Sequence, residues 1–221
     1  MLGSGAAAAA TIWPVLRFRS GDRILAQGDT TSSVFLVRRG VVRLSSVSRD
    51  GKEAILALVG PGGVFGERAL CRTDQDGILG AALDRRDHDV PAATAQTDCA
   101  VSPAPVDALL DCGAVSAVLV GLAGRLADAA ADLERLLHHN VRARVAGAVA
   151  RLADRYGTPQ EGRITIGLAL TQRELASMVG SSRESVSRSL STLAACGWVR
   201  TKPGVLEVVR LDEVRRVAQE A

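Results

Sequence analysis

Arg183, Glu184 and Arg188 are the residues whose types and spacing first suggest chemistry. Two guanidiniums and a carboxylate at positions i, i+1 and i+5, near the start of a helix, share one face and set forked donors beside an acceptor. Such a set reads base edges in a groove; it does not break bonds. The hydroxyls of Ser181, Ser182 and Ser187 lie among them and suit phosphate oxygens. Thr171, Gln172 and Lys202 join them as candidate nucleic-acid contacts. A plainer reading makes Glu184 and Arg188 an intrahelical i,i+4 salt bridge, worth roughly 0.2–0.5 kcal/mol. The two readings are compatible, since the pair can pre-align the arginine.

The elements that must hold these side chains are marked by caps. Thr171 and Glu174 form a capping box ahead of Leu175, Ala176, Met178 and Val179, and Gly180 is a natural C′ residue. Ser181-Ser182 then cap a second helix, Arg183–Ala195, which places Val186, Leu190 and Leu193 on its buried side and ends at Cys196-Gly197. Two short helices joined by a glycine turn make a helix-turn-helix. Before them, Val141–Tyr156 has helical spacing and stops at Gly157-Thr158-Pro159. After them, Trp198–Thr201 and Val205–Val209 flank Lys202-Pro203-Gly204 as a two-stranded wing, and Leu211–Val214 opens a terminal helix. Charge agrees with this division. Residues 1–140 hold 14 Lys/Arg against 16 Asp/Glu, a balance of −2, whereas residues 141–221 hold 13 against 8, a balance of +5. Only the back half suits a polyanion.

Upstream, Leu119, Leu122, Leu126, Ala129, Leu133 and Leu136 recur in alternating steps of three and four, an a/d seam in a proline-free stretch from about Val115 to His139. The seam predicts a dimer. The alternative is an amphipathic helix lying on its own chain. Asn140 has the character of an N-cap at the hinge into the basic half.

The front half breaks short apolar runs with glycines. Ile24-Leu25, Val34–Val37, Val41–Leu44 and Ala54–Leu58 each predict a strand, and a strand is also expected over Ala93–Val101. Gly21-Asp22, Gly28-Asp29, Gly40, Asp50-Gly51 and Pro61-Gly62-Gly63 supply turns, so a sandwich or small barrel is expected. The 221-residue chain, 47% hydrophobic, is long enough for two small domains. No run of 18 apolar residues points to a membrane span. Met1–Ala10 is expected to be a disordered tail, and Cys71, Cys99, Cys112 and Cys196, which form no CxxC pair, to be reduced thiols in a cytoplasm. His88, His138 and His139 fall into no zinc spacing, and no Ser-His-Asp order accompanies a nucleophile elbow. Neither an enzyme nor a metal site is expected.

The ordered segments G-D-R-I-L-A-Q-G-D, V-F-L-V-R-R-G-V-V-R-L, D-G-K-E-A-I-L and P-G-G-V-F-G-E resemble the cyclic-nucleotide-binding jelly roll. L-T-Q-R-E-L-A-S-M-V-G-S-S-R-E-S-V-S-R-S-L resembles the winged helix-turn-helix of the cyclic-AMP receptor/fumarate-nitrate regulator (Crp/Fnr) superfamily. The resemblance implies an α+β chain. Its parts are a β jelly roll sensor over residues 11–112, a dimerisation helix over 113–140 and a winged helix-turn-helix over 141–221. It also implies Arg188 on a guanine O6/N7 edge, Glu184 on a cytosine amino group and Arg183 on a second guanine. The partners implied are double-stranded DNA bearing an inverted repeat of TGTGA-like half-sites, a second copy of the chain and, for an activator, RNA polymerase.

In nucleotide-binding members a Gly-Glu pair opens a short helix against the cyclic phosphate and ribose, and Gly66-Glu67 fit it. Glu67 has an equal claim to a cap or salt bridge within the barrel. The Arg-Ser pair expected next is replaced by Asp89-Val90-Pro91, and the Thr-Ser pair of the dimer helix by Ala129-Ala130. Arg85 and Arg86 in the long loop are substitutes for the missing phosphate partner, or else solvated charges. Cyclic AMP is therefore disfavoured and the effector is left open. Clustered N-terminal cysteines for an iron–sulfur centre are lacking; Cys71 lies near the place where other members hold haem, and His88 lies in the long loop. The rival to an effector-gated regulator is an effector-independent or protein-controlled architectural repressor.

Overall fold

A computed structural model describes residues 13–29, 31–67, 69, 90–111 and 115–220. The chain divides into two compact units, residues 1–52 with 56–127, and residues 53–55 with 128–221.

In the first unit, eight short strands follow the apolar runs. They are β1 (Leu16–Phe18), β2 (Arg23–Leu25), β3 (Ser33–Arg39), β4 (Val42–Val47), β5 (Glu53–Val59), β6 (Val64–Phe65), β7 (Ala92–Ala95) and β8 (Cys99–Pro105). They build two four-stranded sheets, ordered β1-β8-β3-β6 and β2-β7-β4-β5. Alternation sends Phe35, Val37, Val42, Leu44, Phe65, Ala93 and Val101 into one shared core, where the rings of Phe35 and Phe65 stack 5.1 Å apart. The single strand expected over Ala93–Val101 is two. Gln96 and Thr97 both donate their amides to the Val41 carbonyl while the Val41 amide donates to the Thr97 hydroxyl, and this knot carries the chain from one sheet to the other. The strands β1 and β6, too short to show a period, were not foreseen.

Helix α1 (Val106–Asp111) leads to α2 (Val115–His138), which runs 24 residues. Its two faces are chemically inverted. Leu119, Leu126 and Leu133, 57%, 73% and 57% exposed, form an outward apolar stripe with Ala123, Ala130 and Leu137. The opposite face is ionic: Arg125 pairs with Glu67, Asp128 takes both its oxygens to Arg155 at 2.6 and 2.7 Å, and Asp132 pairs with Arg135 and Arg151. Of the expected seam, Leu122 is partly buried on the cluster of Val34, Val64, Ala104 and Leu109, whereas Leu136 stays 49% exposed while it touches Gly180.

In the second unit Asn140 caps α3 (Val141–Tyr156) by accepting from the Ala143 amide. The helix buries Val145, Val149 and Leu152 beneath α4 (Gln172–Val179), α5 (Arg183–Ala195) and α6 (Leu211–Val217). The wing is larger than the expected two strands. β9 (Gly157–Gln160), β10 (Arg163–Ile166), β11 (Val199–Lys202) and β12 (Val205–Val208) form one sheet, ordered β11-β12-β10-β9. β9 and β10 close through Glu161-Gly162, both at positive φ (49° and 75°), the geometry of a type I′ hairpin. Glutamate is an uncommon first residue for that turn, so the hairpin left no signal beyond a helix stop. Among the described residues no helix is long and apolar enough to cross a membrane.

Candidate nucleic-acid interface

The local chemistry of α4 and α5 folds as their caps dictate. The Thr171 hydroxyl accepts from the Glu174 amide at 3.1 Å while the Glu174 carboxylate accepts from the Thr171 amide at 2.8 Å, completing the capping box. Gly180 ends α4 in the left-handed region, φ 60°. That left-handed backbone is what calls for glycine; a Cβ there would lie 3.0 Å from the movable end of Leu136. Ser182 caps α5 by accepting from the Ser185 amide.

Burial of Val186, Ser189, Leu190 and Leu193 fixes the orientation of α5. Arg183, Glu184 and Arg188 then fall together on its opposite, exposed face, with Ser187 half-buried between them and Ser191 exposed beyond. No ion pair among the described residues joins Glu184 to Arg188, so the intrahelical bridge is not formed. Arg188 instead donates to the Ser185 hydroxyl at 3.1 Å, and that hydroxyl also accepts from Ser182 at 3.0 Å. Ser185 is therefore a missed residue: it links the cap to the arginine, and its only sequence signal was its place three residues from each. Arg183 and Glu184 keep both their charges toward solvent.

Thr171 and Gln172 are exposed at the start of α4, as is Arg173, a cation not singled out from sequence. Lys202 proves to be a strand residue and not part of the turn, and it is engaged. Its ammonium meets Glu207 at 2.5 Å, and Arg163 approaches the same carboxylate at 3.5 Å. These cations, the Lys202 hydrogen bond above all, hold the buried Glu207 carboxyl below the usual carboxylate range. Arg200, two positions before Lys202 on β11, is exposed and has no ion pair among the described residues. Arg216 lies over the Trp198 ring at 5.8 Å and fastens α6 to the foot of the wing.

In the barrel, Gly66 takes φ 77°, and a Cβ would come within 2.9 Å of the Phe35 ring. The Glu67 carboxylate is paired with Arg125 at 2.5 Å, with side chains 32% and 21% exposed. The expected salt bridge is present, with a partner on α2 that spacing along the strands could not reveal. Arg85, Arg86, Asp89, Cys71, Cys112 and His88 lie outside the described residues, as does the Met1–Ala10 tail. Cys99 is buried, which, with Asp98 and Asp22 nearby, pushes its thiol up; Cys196 is exposed. No cluster of metal-ligating side chains occurs among the described residues.

The cyclic nucleotide-binding domain family matches residues 15–112, and the Crp-like helix-turn-helix domain family matches residues 143–217. The transcriptional regulator SdrP of Thermus thermophilus is 31% identical over 208 residues, covering 91% of this chain and 93% of that protein. The chain belongs to the Crp/Fnr family of transcription regulators. A CRP-like cAMP-activated global transcriptional regulator of Mycobacterium tuberculosis is 29% identical over 209 residues, covering 92% of this chain and 86% of its own length. The crystal structure of TTHB099, a CRP-family regulator from Thermus thermophilus, superposes with a TM-score of 0.77 at 26% identity, covering 93% of this chain and 97% of that one. As a Crp/Fnr regulator the chain binds DNA through its helix-turn-helix and is not an enzyme.

Proposed function

We propose that this Crp/Fnr regulator acts as a homodimer on an inverted repeat, reading TGTGA-like half-sites with Arg183, Glu184 and Arg188. The observation that carries the reading is the α5 face on which these three side chains stand exposed, with no ion pair among the described residues. Exposed guanidiniums there meet guanine O6 and N7 in the major groove, and the carboxylate accepts from a cytosine amino group. Homodimerisation is supported by the outward stripe of Leu119, Leu126 and Leu133 beside Ala129 and Ala130, since an apolar row at heptad spacing calls for a partner of the same kind. Two copies of α5 related by a two-fold axis enter successive major grooves about 34 Å apart. Selection from random DNA tests this: enriched sequences with two-fold symmetry and half-site centres about one turn apart are expected, and enrichment without symmetry overturns it.

The effector is the second part of the proposal. The Mycobacterium tuberculosis relative is named a cAMP-activated regulator. This chain carries Asp89-Val90-Pro91 and Ala129-Ala130 where that nucleotide's partners are expected, so cyclic AMP is disfavoured. The Glu67–Arg125 pair favours a rival reading in which no nucleotide is bound, because the carboxylate that would accept from a ribose already holds an internal cation. Titration calorimetry with cyclic AMP is expected to show no binding in the micromolar range; a micromolar constant, about −8 kcal/mol, overturns this.

A further inference from the structure

The ionic face of α2 leads into a cleft of the second unit away from the exposed face of α5. The cleft, about 210 Å³, lies between the end of α2, the middle of α3 and the end of α4, and its wall includes Asp132, Arg135, Arg144, Arg151, Leu136 and Gly180. It has ample room, given that a liquid water takes about 30 Å³. Three guanidiniums and one carboxylate line it, and two of the three meet that carboxylate. Asp132 Oδ1 accepts from Arg135 Nη1 at 2.9 Å and from Arg151 Nη2 at 2.7 Å, while Arg144 has no ion pair among the described residues. Two donors are left over: Arg144 Nε and Arg151 Nη1 are both buried and meet no acceptor. Buried N–H groups of charged side chains are rarely left so, because each unmade bond costs about 1–3 kcal/mol or more. Burial, aided by Arg135 and Arg155, pushes the Arg151 guanidinium below its usual range in spite of Asp132.

We propose that this cleft is a binding site for a small dianion of the phosphate class, held by Arg144 and Arg151 with Arg135 in support. The charge matches. Three cations against one carboxylate leave two positive charges, and a phosphate monoester carries about −1.5 to −2 at neutral pH. The donors match too, since guanidinium forks meet phosphate oxygens in parallel pairs. Because its walls come from α2, α3 and α4, an anion bound there ties the end of α2 to the helix that precedes the reading helix. It is thus an effector position built within the second unit. The inference rests on the geometry of this unit and not on the operator or barrel-effector readings.

Inorganic phosphate is the probe, titrated into the full chain with chloride at matched ionic strength as the control, and read by calorimetry and thermal midpoint. Saturable binding and a rise in midpoint specific to phosphate are expected. Arg144→Gln removes a guanidinium that has no ion pair. It is expected to keep the parent's midpoint in chloride and to weaken phosphate binding at least tenfold. Asp132→Asn removes the competing carboxylate and is expected to tighten binding several-fold, a gain that structural damage does not mimic. Equal binding by parent and Arg144→Gln, or equal protection by phosphate and chloride, overturns the proposal. Operator affinity in phosphate-free buffer separates the sources of phosphate. A free anion leaves Arg144→Gln unimpaired on DNA, whereas an affinity loss with a salt slope lowered by about one makes the backbone of DNA the ligand and also overturns the proposal.

Discussion

Arg188 and Glu67 are both charged side chains that the sequence puts forward for binding, one on a reading helix and one in a barrel. The protein treats them in opposite ways. Arg188 keeps its charge in solvent and donates one hydrogen bond to the Ser185 hydroxyl, whereas Glu67 is matched by Arg125 within its own unit. The same contrast separates the outward stripe of α2 from its ionic inner face, and Arg200 from Lys202. A residue type at a motif position states what a side chain can do; whether the fold has already supplied its partner decides what is left for a ligand. Residues left open should then change recognition with little change in stability, and residues already paired should do the reverse.

The largest test concerns the open apolar stripe. Leu126→Asp sets a carboxylate at its most exposed leucine, and an unpaired charge buried by a partner helix costs about 3–5 kcal/mol per uncompensated site. Monomers in sedimentation velocity, with an unchanged monomer fold and collapsed operator affinity, are expected. A variant that remains dimeric assigns the stripe to something other than self-association.

Next comes the reading arginine. Arg188→Ala should weaken the matched operator by about 1–3 kcal/mol and relax preference at a single guanine, with the thermal midpoint nearly unmoved. If the variant selects the parent's half-site unchanged, Arg188 does not read a base, and openness is a poor guide to function. The paired counterpart is Arg125→Ala. Loss of a partly buried ion pair should lower stability by about 1 kcal/mol or less and leave operator preference unaltered. A shift in operator preference there would erase the distinction.

The smallest effect is on the wing. The Glu207 carboxyl titrates below its ordinary value because Lys202 hydrogen-bonds it. A depressed folded pKa contributes stability above the unfolded value of about 4.3, and that contribution is lost as pH falls through the folded value. The urea midpoint of the parent should therefore drop more steeply between about pH 5 and pH 3 than that of Glu207→Gln. Parallel profiles would show that the pair contributes nothing measurable.

Legibility from sequence followed how local the determining forces are. The helix-turn-helix could be read almost residue by residue, since Thr171, Glu174, Gly180 and Ser182 act on amides within four positions of themselves. The barrel could be read as strands and turns but not at the place where β7 gives way to β8, because that break is made by Val41, more than 50 residues away. Arg125 and Glu67 meet across a similar distance, and no period reports such a pairing. The seam of α2 was legible as an apolar row, but its spacing did not show that the barrel cluster claims Leu122.

One small arrangement on α5 limits how this protein can change. The Ser185 hydroxyl takes a hydrogen bond from the capping Ser182 and another from Arg188. Helix stability and base preference therefore share an atom. A substitution at Ser185 cannot retune one without disturbing the other, so an evolving lineage that shifts its operator has to find compensation at the cap in the same step. Ser191, which makes no such link, is the cheaper place for new specificity to arise.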